Sequence, residues 1–532
     1  MISNWIQTCW KDHQCGPTGD MPLPTRILEI GARGAVNLRL FISSGLHGRY
    51  VALSHCWGKR PTATTTNGNI TERLKAINLG ALPANFRDAV IITRELGYKY
   101  LWIDSLCIIQ GDREDWITQS SLMGSVYHNC SVMLAASGSL DSYGGMLNPR
   151  QESCALPNSP LFLSPKRKPF QILEESELGS RAWASQERIL APRIVYYSTE
   201  QIFWECRDSR RAEASVERLS DTFQSYNKRY HDHLHAKENY ANFLSKSSST
   251  VEDDGDIYTA RPEGWFWAIQ GYSRRHLTNP SDKLPALSGL AQNVFHPRRA
   301  TGGEYLAGIW ANDILRQLLW ENGEDQVTKF SAANYVPVSK FRTITILSKS
   351  SSYRAPSWSW VAYDGPIEND RADDHIVLNL DTSADQWERS RILDLQVVGT
   401  DIRFASNDPF GEILEGSSIV VEGICQFVTF RPGEKTFFTD GEVECLWSLD
   451  IKKMELLNGE YLCLQVARRH GQLRTLGNLE DIVTHRLHVL GVRCLVLRAA
   501  VRANMWQRVG VLTFDVVGEA DNGWKKKNLT LI

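Results

Sequence analysis

Side chains that could do chemistry collect at the ends of three apolar segments. The segments are YVALSHCWG at 50–58, YLWIDSLCIIQ at 100–110 and RAWASQERILAPRIVYYS at 181–198. Their β-branched and aromatic residues predict strands, and α/β folds place functional side chains where such strands end. The candidate site residues are therefore Ser54, His55, Cys56, Trp57, Asp104, Arg181, Trp183, Gln186 and Glu187.

The spacing of Trp183 and Glu187 is distinctive. They are four residues apart, so on a helix an aromatic ring and a carboxylate project from one face. The carboxylate could equally form a structural ion pair with Arg188 or Arg193. Asp104 could likewise cap the turn after its strand. The pattern leaves both the functional and the structural interpretation open.

A cysteine nucleophile is not supported by the pattern. Cys56 needs a base aimed at its sulfur, whereas its neighbour His55 projects from the opposite face of a strand. We therefore interpret Cys56 as an inert buried thiol, and His55 could be a core histidine. The sequence also lacks the phosphate-binding loops GxxxxGK[ST] and GxGxxG and the zinc motif HExxH.

A possible metal cluster lies near the start of the chain. Cys9, His13 and Cys15 have the spacing C-x3-H-x-C. A closed zinc site needs four ligands, usually with a second cysteine pair, and the neighbouring sequence offers no fourth. We therefore predict no metal site.

Alternating strand and helix patterns predict an α/β domain. Apolar residues at helical spacing over 82–96 indicate an amphipathic helix between two of the apolar strands, which together form a parallel βαβ unit. A second helix is predicted from Asp115, and further strands are predicted at 130–137 and 193–198. The expected architecture is a small parallel sheet with helices.

The pattern changes beyond this domain. The polar, acidic stretch 246–256 has the composition of a linker. Residues 305–320 have apolar residues in helical register, whereas short strands separated by turns are predicted from 419 onward. We divide the chain into an N-terminal extension (1–45), the α/β domain (46–206), a linker (207–260), a helical, Trp-rich segment (261–365) and a mainly-β C-terminal module (366–532).

Composition limits the classes of partner. The 532 residues include 59 Lys and Arg and 61 Asp and Glu, which gives a net charge of −2. This charge provides no general attraction to nucleic acid. No apolar run approaches the roughly 18 residues that a membrane span requires. Eleven cysteines without a secretory signal predict reduced thiols. We expect a soluble, cytoplasmic protein that binds no nucleic acid and has no membrane span.

The ordered motifs resemble the heterokaryon-incompatibility (HET) domain of filamentous fungi. The resemblance is strong over 46–206 and weak elsewhere, although RAPSWSWVAYDG at 354–365 is similar to a region that follows many HET domains. It rests on YVALSHCWG, Leu82-Pro83 through Asp88-Ala89, WIDSLCIIQ with Asp115-Trp116, Arg181-Ala182-Trp183, Gln186-Glu187-Arg188 and Trp204-Glu205-Cys206.

The resemblance implies a chemistry. HET domains are remotely similar to Toll/interleukin-1-receptor-type (TIR) domains, in which the glutamate of a W-x-x-x-E motif serves cleavage of the nicotinamide–ribose bond of NAD. By this resemblance the sheet is flavodoxin/TIR-like, Glu187 is the catalytic carboxylate, and Trp183 is an aromatic wall that stacks on the base. The implied substrate-binding residues are Ser54, His55, Trp57, Asp104, Arg181 and Trp183.

The resemblance also implies a role in non-self recognition. Such a protein triggers programmed cell death when genetically distinct hyphae fuse. In the enzymatic version of this role, self-association activates the HET domain as an NAD glycohydrolase. NAD is then the substrate, and no cofactor is firmly predicted. In the other a non-catalytic HET module recruits a protein partner. The two versions differ in whether Glu187 lies in an open pocket with Trp183, Ser54 and Asp104, or is buried against Arg188 or Arg193.

Overall fold

The computed structural model divides the chain into two compact units, residues 1–300 and 301–532. The residues that it describes are 1–13, 15–149, 154–155, 162–163, 172–173, 175–213, 263–292, 304–311, 314–322, 347–350, 352–369, 391–393, 395–431, 436–439, 444–449, 459–472, 488–502, 504–517 and 524–532. Most of the proposed linker, 214–260, lies outside these residues. Much of the Pro-rich stretch 149–169, which we interpret as an insertion between the strands predicted at 130–137 and 193–198, also lies outside them.

Unit 1 is built on a mixed sheet. Its strands are β1 (Met21–Pro22), β2 (Arg26–Glu29), β3 (Asn37–Ile42), β4 (His47–Gly48), β5 (Tyr50–Ser54), β6 (Ile77–Asn78), β7 (Tyr100–Trp102), β8 (Val132–Ala135), β9 (Cys154–Ala155), β10 (Phe162–Leu163), β11 (Arg193–Tyr197), β12 (Ile202–Cys206) and β13 (Arg210–Ala212). Nine of the described strands form one sheet in the order β13-β12-β11-β8-β5-β7-β2-β3-β6. Its central strands, β11, β8, β5 and β7, are parallel, whereas the flanking strands pair antiparallel.

Helices accompany this sheet. They are α1 (Ile2–Asp12), α2 (Ile70–Lys75), α3 (Ala84–Glu95), α4 (Asp104–Cys107), α5 (Arg113–Asn129), α6 (Glu177–Ser180), α7 (Ala182–Leu190), α8 (Glu263–Ser273) and α9 (Pro285–Leu290). The helix predicted over 82–96 is α3, which buries Phe86, Ala89 and Val90. The helix predicted from Asp115 begins two residues earlier, because the Asp112 carboxylate caps it by accepting the Asp115 N–H at 3.0 Å. The α/β class is confirmed.

An ion pair fastens β2 to the beginning of α5. The Arg26 guanidinium donates to both carboxylate oxygens of Asp115, at 2.6 and 2.5 Å, and to the Cys107 carbonyl at 2.8 Å. Asp115 also accepts the Ile109 N–H at 2.7 Å. Strands β2 and β3 precede the proposed domain start at residue 46 but lie in the same sheet. A fragment that began at 46 would therefore lack two strands of this sheet.

Helices α5, α7 and α9 meet at a close backbone contact. The Gly289 N–H donates to the Gln186 side-chain oxygen at 2.8 Å. A Cβ atom at Gly289 would lie 2.5 Å from the Gly124 Cα atom, so this contact requires glycine. The segment 263–290 thus packs on α7, the helix that carries Glu187.

Unit 2 is mainly β. Its strands are β14 (Tyr305–Leu306), β15 (Ile309–Trp310), β16 (Trp320–Asn322), β17 (Ser348–Lys349), β18 (Tyr363–Asp364), β19 (Ile367–Asn369), β20 (Arg391–Leu393), β21 (Leu395–Asp401), β22 (Ser418–Arg431), β23 (Thr436–Thr439), β24 (Glu444–Leu449), β25 (Gly459–Gln472), β26 (His488–Ala499), β27 (Met505–Val517) and β28 (Lys525–Leu531). The strands predicted from 419 onward are found, in a largely antiparallel sheet centred on β22 and β25–β27.

The single helix predicted across 305–320 is wrong. Strands β14 and β15 form a hairpin there, because Ala307 and Gly308 have positive φ angles of 49° and 91°. Among the described residues of this stretch, the α-helical ones are Ile314–Gln317 (α10). Four buried tryptophans form part of the core of unit 2: Trp310, Trp320, Trp358 and Trp360.

No helix within the described ranges combines the length and the apolar character that crossing a membrane requires.

Candidate functional site

A serine–glutamate pair lies where β5 ends. Ser54 is the last residue of β5, Glu187 lies in α7, and the serine hydroxyl donates a hydrogen bond to Oε2 of Glu187. Both residues are buried, with 2% and 8% of their surface exposed. The fold thus joins two candidates that are 133 positions apart, at the carboxyl end of a parallel strand.

The pKa of Glu187 is raised from its ordinary value of 4.5 to about 7. Burial is the main cause, and the nearby Asp104 carboxylate also raises the pKa. The Ser54 hydrogen bond, the Arg181 charge and the Tyr127 hydroxyl partly offset this rise. Near neutral pH the carboxyl is therefore present in both protonation states, which suits acid–base or electrostatic catalysis.

Asp104 is the first residue of α4 and follows closely after β7, the strand that pairs with β5. One carboxylate oxygen accepts the Ser105 N–H at 2.7 Å, which is a local bond of the kind that the structural interpretation expected. The other oxygen accepts the indole N–H of Trp57 at 2.8 Å. Trp57 and Asp104 are thereby held together beside the strand end that carries Ser54.

His55 is enclosed beside this site. Its ring packs edge-on against Phe86, with centroids 4.9 Å apart, and neither ring nitrogen has a hydrogen-bond partner among the described residues. Its Nδ1 atom lies 3.7 Å from Asp104 Oδ1, and Arg181 donates to the His55 carbonyl. Burial, with the Arg181 charge, lowers the pKa of His55 to about 4 despite Asp104. The imidazole is therefore neutral at neutral pH.

Cys56 is buried, and burial raises the pKa of its thiol to about 11. A thiol with this pKa is largely protonated at neutral pH and is a poor nucleophile. This agrees with its interpretation as an inert thiol.

The polar groups of Trp183 and Gln186 contact another segment. The Trp183 indole N–H donates to the Asp282 carboxylate at 3.2 Å, and the Gln186 side-chain oxygen accepts the Gly289 N–H. Trp183 is partly exposed and lies one helical turn from Glu187. These residues attach α7 to the segment 280–289, and their polar groups are not directed at the Ser54–Glu187 pair.

The two arginines considered as partners of Glu187 contact other groups. Arg188 pairs with the buried Glu205 carboxylate at 3.0 Å. Arg193 donates to the Cys9 sulfur at 3.3 Å and to backbone carbonyls. Glu187 is therefore not buried in an ion pair with Arg188 or Arg193.

Sequence reasoning missed Tyr127 as a member of this site. The residue lies in α5 and is fully buried, and its hydroxyl donates to the Leu53 carbonyl at 3.4 Å. The same hydroxyl lowers the pKa of Glu187. In the sequence, Tyr127 shares one face of the predicted helix with Trp116, Ser120 and Met123, and this pattern indicated core packing alone. A buried tyrosine hydroxyl needs a polar partner. This requirement could have indicated that Tyr127 lies near a polar group in the core.

A small cavity adjoins the pair. It is lined by Ser54, Ala184, Arg188 and Tyr196, among others, and its volume is ≈ 30 Å³. That is about the volume of one water molecule in the liquid. Glu187 is therefore enclosed rather than open to a dinucleotide in this conformation.

Comparison with known proteins gives one family match. The model of the family described as "Heterokaryon incompatibility protein (HET)" matches residues 50–187. Searches of curated proteins and of solved structures find no significant match. The matched segment begins with β5 and ends at Glu187, so it contains both members of the serine–glutamate pair. Residues 50–187 of this chain are a heterokaryon-incompatibility (HET) domain.

Proposed function

We propose that this chain is an effector of heterokaryon incompatibility and that its HET domain triggers cell death by TIR-like cleavage of NAD. The observation that supports this function is the buried Ser54–Glu187 pair, whose carboxyl has a pKa of about 7. A carboxyl with such a pKa at the end of a parallel strand has the properties of a catalytic group.

The central sheet is compatible with a flavodoxin/TIR-like domain. Strands β11, β8, β5 and β7 are parallel neighbours, and helices connect β5 to β7 and β7 to β8. The antiparallel flanking strands extend this core on both sides. The similarity to a flavodoxin/TIR-like sheet is therefore limited to these four parallel strands, one of which ends at Ser54.

The proposed chemistry uses the ionised form of Glu187. As the bond from ribose C1′ to nicotinamide breaks, the bonding pair leaves with nicotinamide and positive charge develops on the ribose. The Glu187 carboxylate stabilises this charge, and the Ser54 hydroxyl orients the carboxylate. Water then adds to C1′ and releases a proton. Arg181, Trp57, His55 and Asp104 surround the same strand end and are proposed to contact ribose or phosphate, with Trp183 next to the base.

The cavity beside Ser54 has a volume of only ≈ 30 Å³, which is too small for NAD. The site must therefore open before NAD can bind. We propose that self-association of the protein in the cytoplasm supplies this opening step. Opening would also let water reach Glu187, so its pKa would fall toward the ordinary value and the ionised form would prevail.

Nicotinamide release tests this function. The full 532-residue chain, fused to an inducible dimerising tag, is incubated with NAD beside its Glu187→Gln variant and a Glu177→Gln control, which neutralises an exposed carboxylate near α7. We expect release by the dimerised wild type and the control, and a loss of at least about 100-fold in Glu187→Gln. Absence of release from folded, dimerised wild type would refute NAD cleavage.

The burial of Glu187 and the small volume of the cavity beside Ser54 favour one alternative, a non-catalytic HET module that recruits a protein partner. In that case Glu187 is a buried structural carboxyl, and its replacement by glutamine leaves recruitment intact. Retained cell death without NAD loss in the Glu187→Gln variant would support this alternative over the enzyme.

A further inference from the structure

Four metal-ligating side chains meet beside the first helix. Cys9 and His13 lie one turn apart at the end of α1, Cys15 follows, and Cys206 is the last residue of β12. One ligand atom from each residue lies within 4.8 Å of all the others. Cys206 is 193 positions from His13, so local spacing could not supply this fourth ligand.

We infer that Cys9, His13, Cys15 and Cys206 form a closed structural zinc site. Tetrahedral zinc with bonds of about 2.3 Å to sulfur and about 2.0 Å to nitrogen separates adjacent sulfur and nitrogen ligands by about 3.5 Å. The Cys206 sulfur lies 3.5 Å from His13 Nδ1. Three thiolates and one imidazole form a set that zinc prefers.

The second nitrogen of His13 supports this assignment. His13 Nε2 lies 3.1 Å from the Asp208 carboxylate. A carboxylate that accepts the Nε2–H places the lone pair on Nδ1, the nitrogen that faces the sulfur atoms. This carboxylate–histidine arrangement is common behind histidine ligands of zinc.

Hydrogen bonds to sulfur also favour a thiolate at Cys206. The Ser209 N–H donates to the Cys206 sulfur at 3.2 Å, and the Ser209 hydroxyl lies 3.3 Å from it. Donors directed at a sulfur atom stabilise its thiolate form, which is the form that binds zinc.

A buried cation balances the charge that the site would carry. Zinc with three thiolates and a neutral imidazole has a net charge of −1. Arg193 is fully buried, and its guanidinium lies 3.3 Å from the Cys9 sulfur. It also donates to the carbonyls of Pro17, Ser131 and Gly16 and lies 5.9 Å from the centre of the Trp10 ring. A buried guanidinium requires compensation, and the zinc–thiolate group would supply it.

The proposed ion would join α1 to the sheet of unit 1. Helix α1 buries Trp5, Ile6 and Cys9, and the Trp5 ring lies 6.2 Å from the Trp204 ring of β12. Because the protein provides all four ligands, no coordination position stays open for substrate, so the role is structural. The prediction of no metal depended on a missing fourth ligand, which the fold provides.

Metal analysis of the purified full chain tests this site. We expect about one zinc per chain in the wild type and less than about 0.2 in Cys206→Ser and Cys15→Ser. The matched control is Cys130→Ser, which replaces a buried cysteine of unit 1 that lies outside the cluster and is in no disulfide, and this variant should keep its zinc.

Cobalt provides a test that does not depend on how the variants fold. When cobalt replaces zinc in the wild type, the visible and near-ultraviolet bands of tetrahedral thiolate coordination should appear at one cobalt per chain. Wild-type protein that binds neither metal under reducing conditions, or equal zinc in wild type and folded Cys206→Ser, would overturn the assignment. A disulfide among the three cysteines in protein purified under reducing conditions would also overturn it.

Discussion

The raised pKa of Glu187 predicts a specific dependence of stability on pH. The folded protein holds this carboxyl at a pKa of about 7, whereas in the unfolded chain it has the ordinary value of 4.5. Between these values the folded state keeps a proton that the unfolded state releases, so the free energy of unfolding falls as pH rises. The loss from pH 4.5 to above pH 7 is about 3 kcal/mol.

Replacement of Glu187 by glutamine removes this loss. The amide oxygen can accept the Ser54 hydrogen bond in place of the carboxylate, so the substitution mainly abolishes the titration. The free energy of unfolding of the variant, relative to wild type, should therefore rise by about 3 kcal/mol between pH 4.5 and pH 8. At about 2 °C for each kcal/mol, this is a relative gain of about 6 °C in the midpoint of unit 1 unfolding.

Thermal melts of wild type, Glu187→Gln and the exposed Glu177→Gln control in one buffer series provide the assay. The quantity of interest is the midpoint difference between each variant and wild type, because other titrating groups cancel in it. If the Glu187→Gln difference were as flat with pH as that of the control, the raised pKa and the enclosed carboxyl would both be wrong.

Three further predictions concern other parts of the structure. Because the pKa of His55 is about 4 when folded and 6.5 when unfolded, wild type should lose about 3 kcal/mol through this group as pH falls from 6.5 to 4, and melts of His55→Gln should lack that loss. Gly289→Ala places a Cβ atom 2.5 Å from a backbone carbon of the facing helix, so denaturant titration should show a loss of about 2 kcal/mol, against less than about 1 in Ser288→Ala. Arg508→Met removes a buried guanidinium 3.6 Å from the centre of a tryptophan ring, and the unfolding of unit 2 should weaken by about 3 kcal/mol; the exposed Arg498→Met control should change little.

Local patterns predicted the centre of unit 1 well. A continuous apolar run such as β5 has few alternatives to a buried strand, and the periodicity of α3 defines one buried face. The residues at the ends of these elements therefore included Ser54 and Asp104. The family resemblance identified Glu187, but only the fold shows that its hydrogen-bond partner is Ser54 and that Arg188 and Arg193 contact other groups.

Local patterns failed where a distant contact or a special backbone angle decides the structure. Helical spacing over 305–320 gave no sign of the positive φ angles at Ala307 and Gly308, which turn the chain into a hairpin. Cys206 reaches the cluster near α1 only because β12 ends there, and Tyr127 reaches Glu187 only through the packing of α5. These contacts depend on tertiary structure, which the spacing of residues in one segment does not encode.

The most direct test of the proposed effector role is the NAD content of fungal cells after induced expression of the full chain. If the account is right, wild-type protein depletes NAD before growth stops, and Glu187→Gln protein at equal abundance changes neither NAD nor growth. Growth arrest by the glutamine variant at the wild-type level would contradict a catalytic role for Glu187.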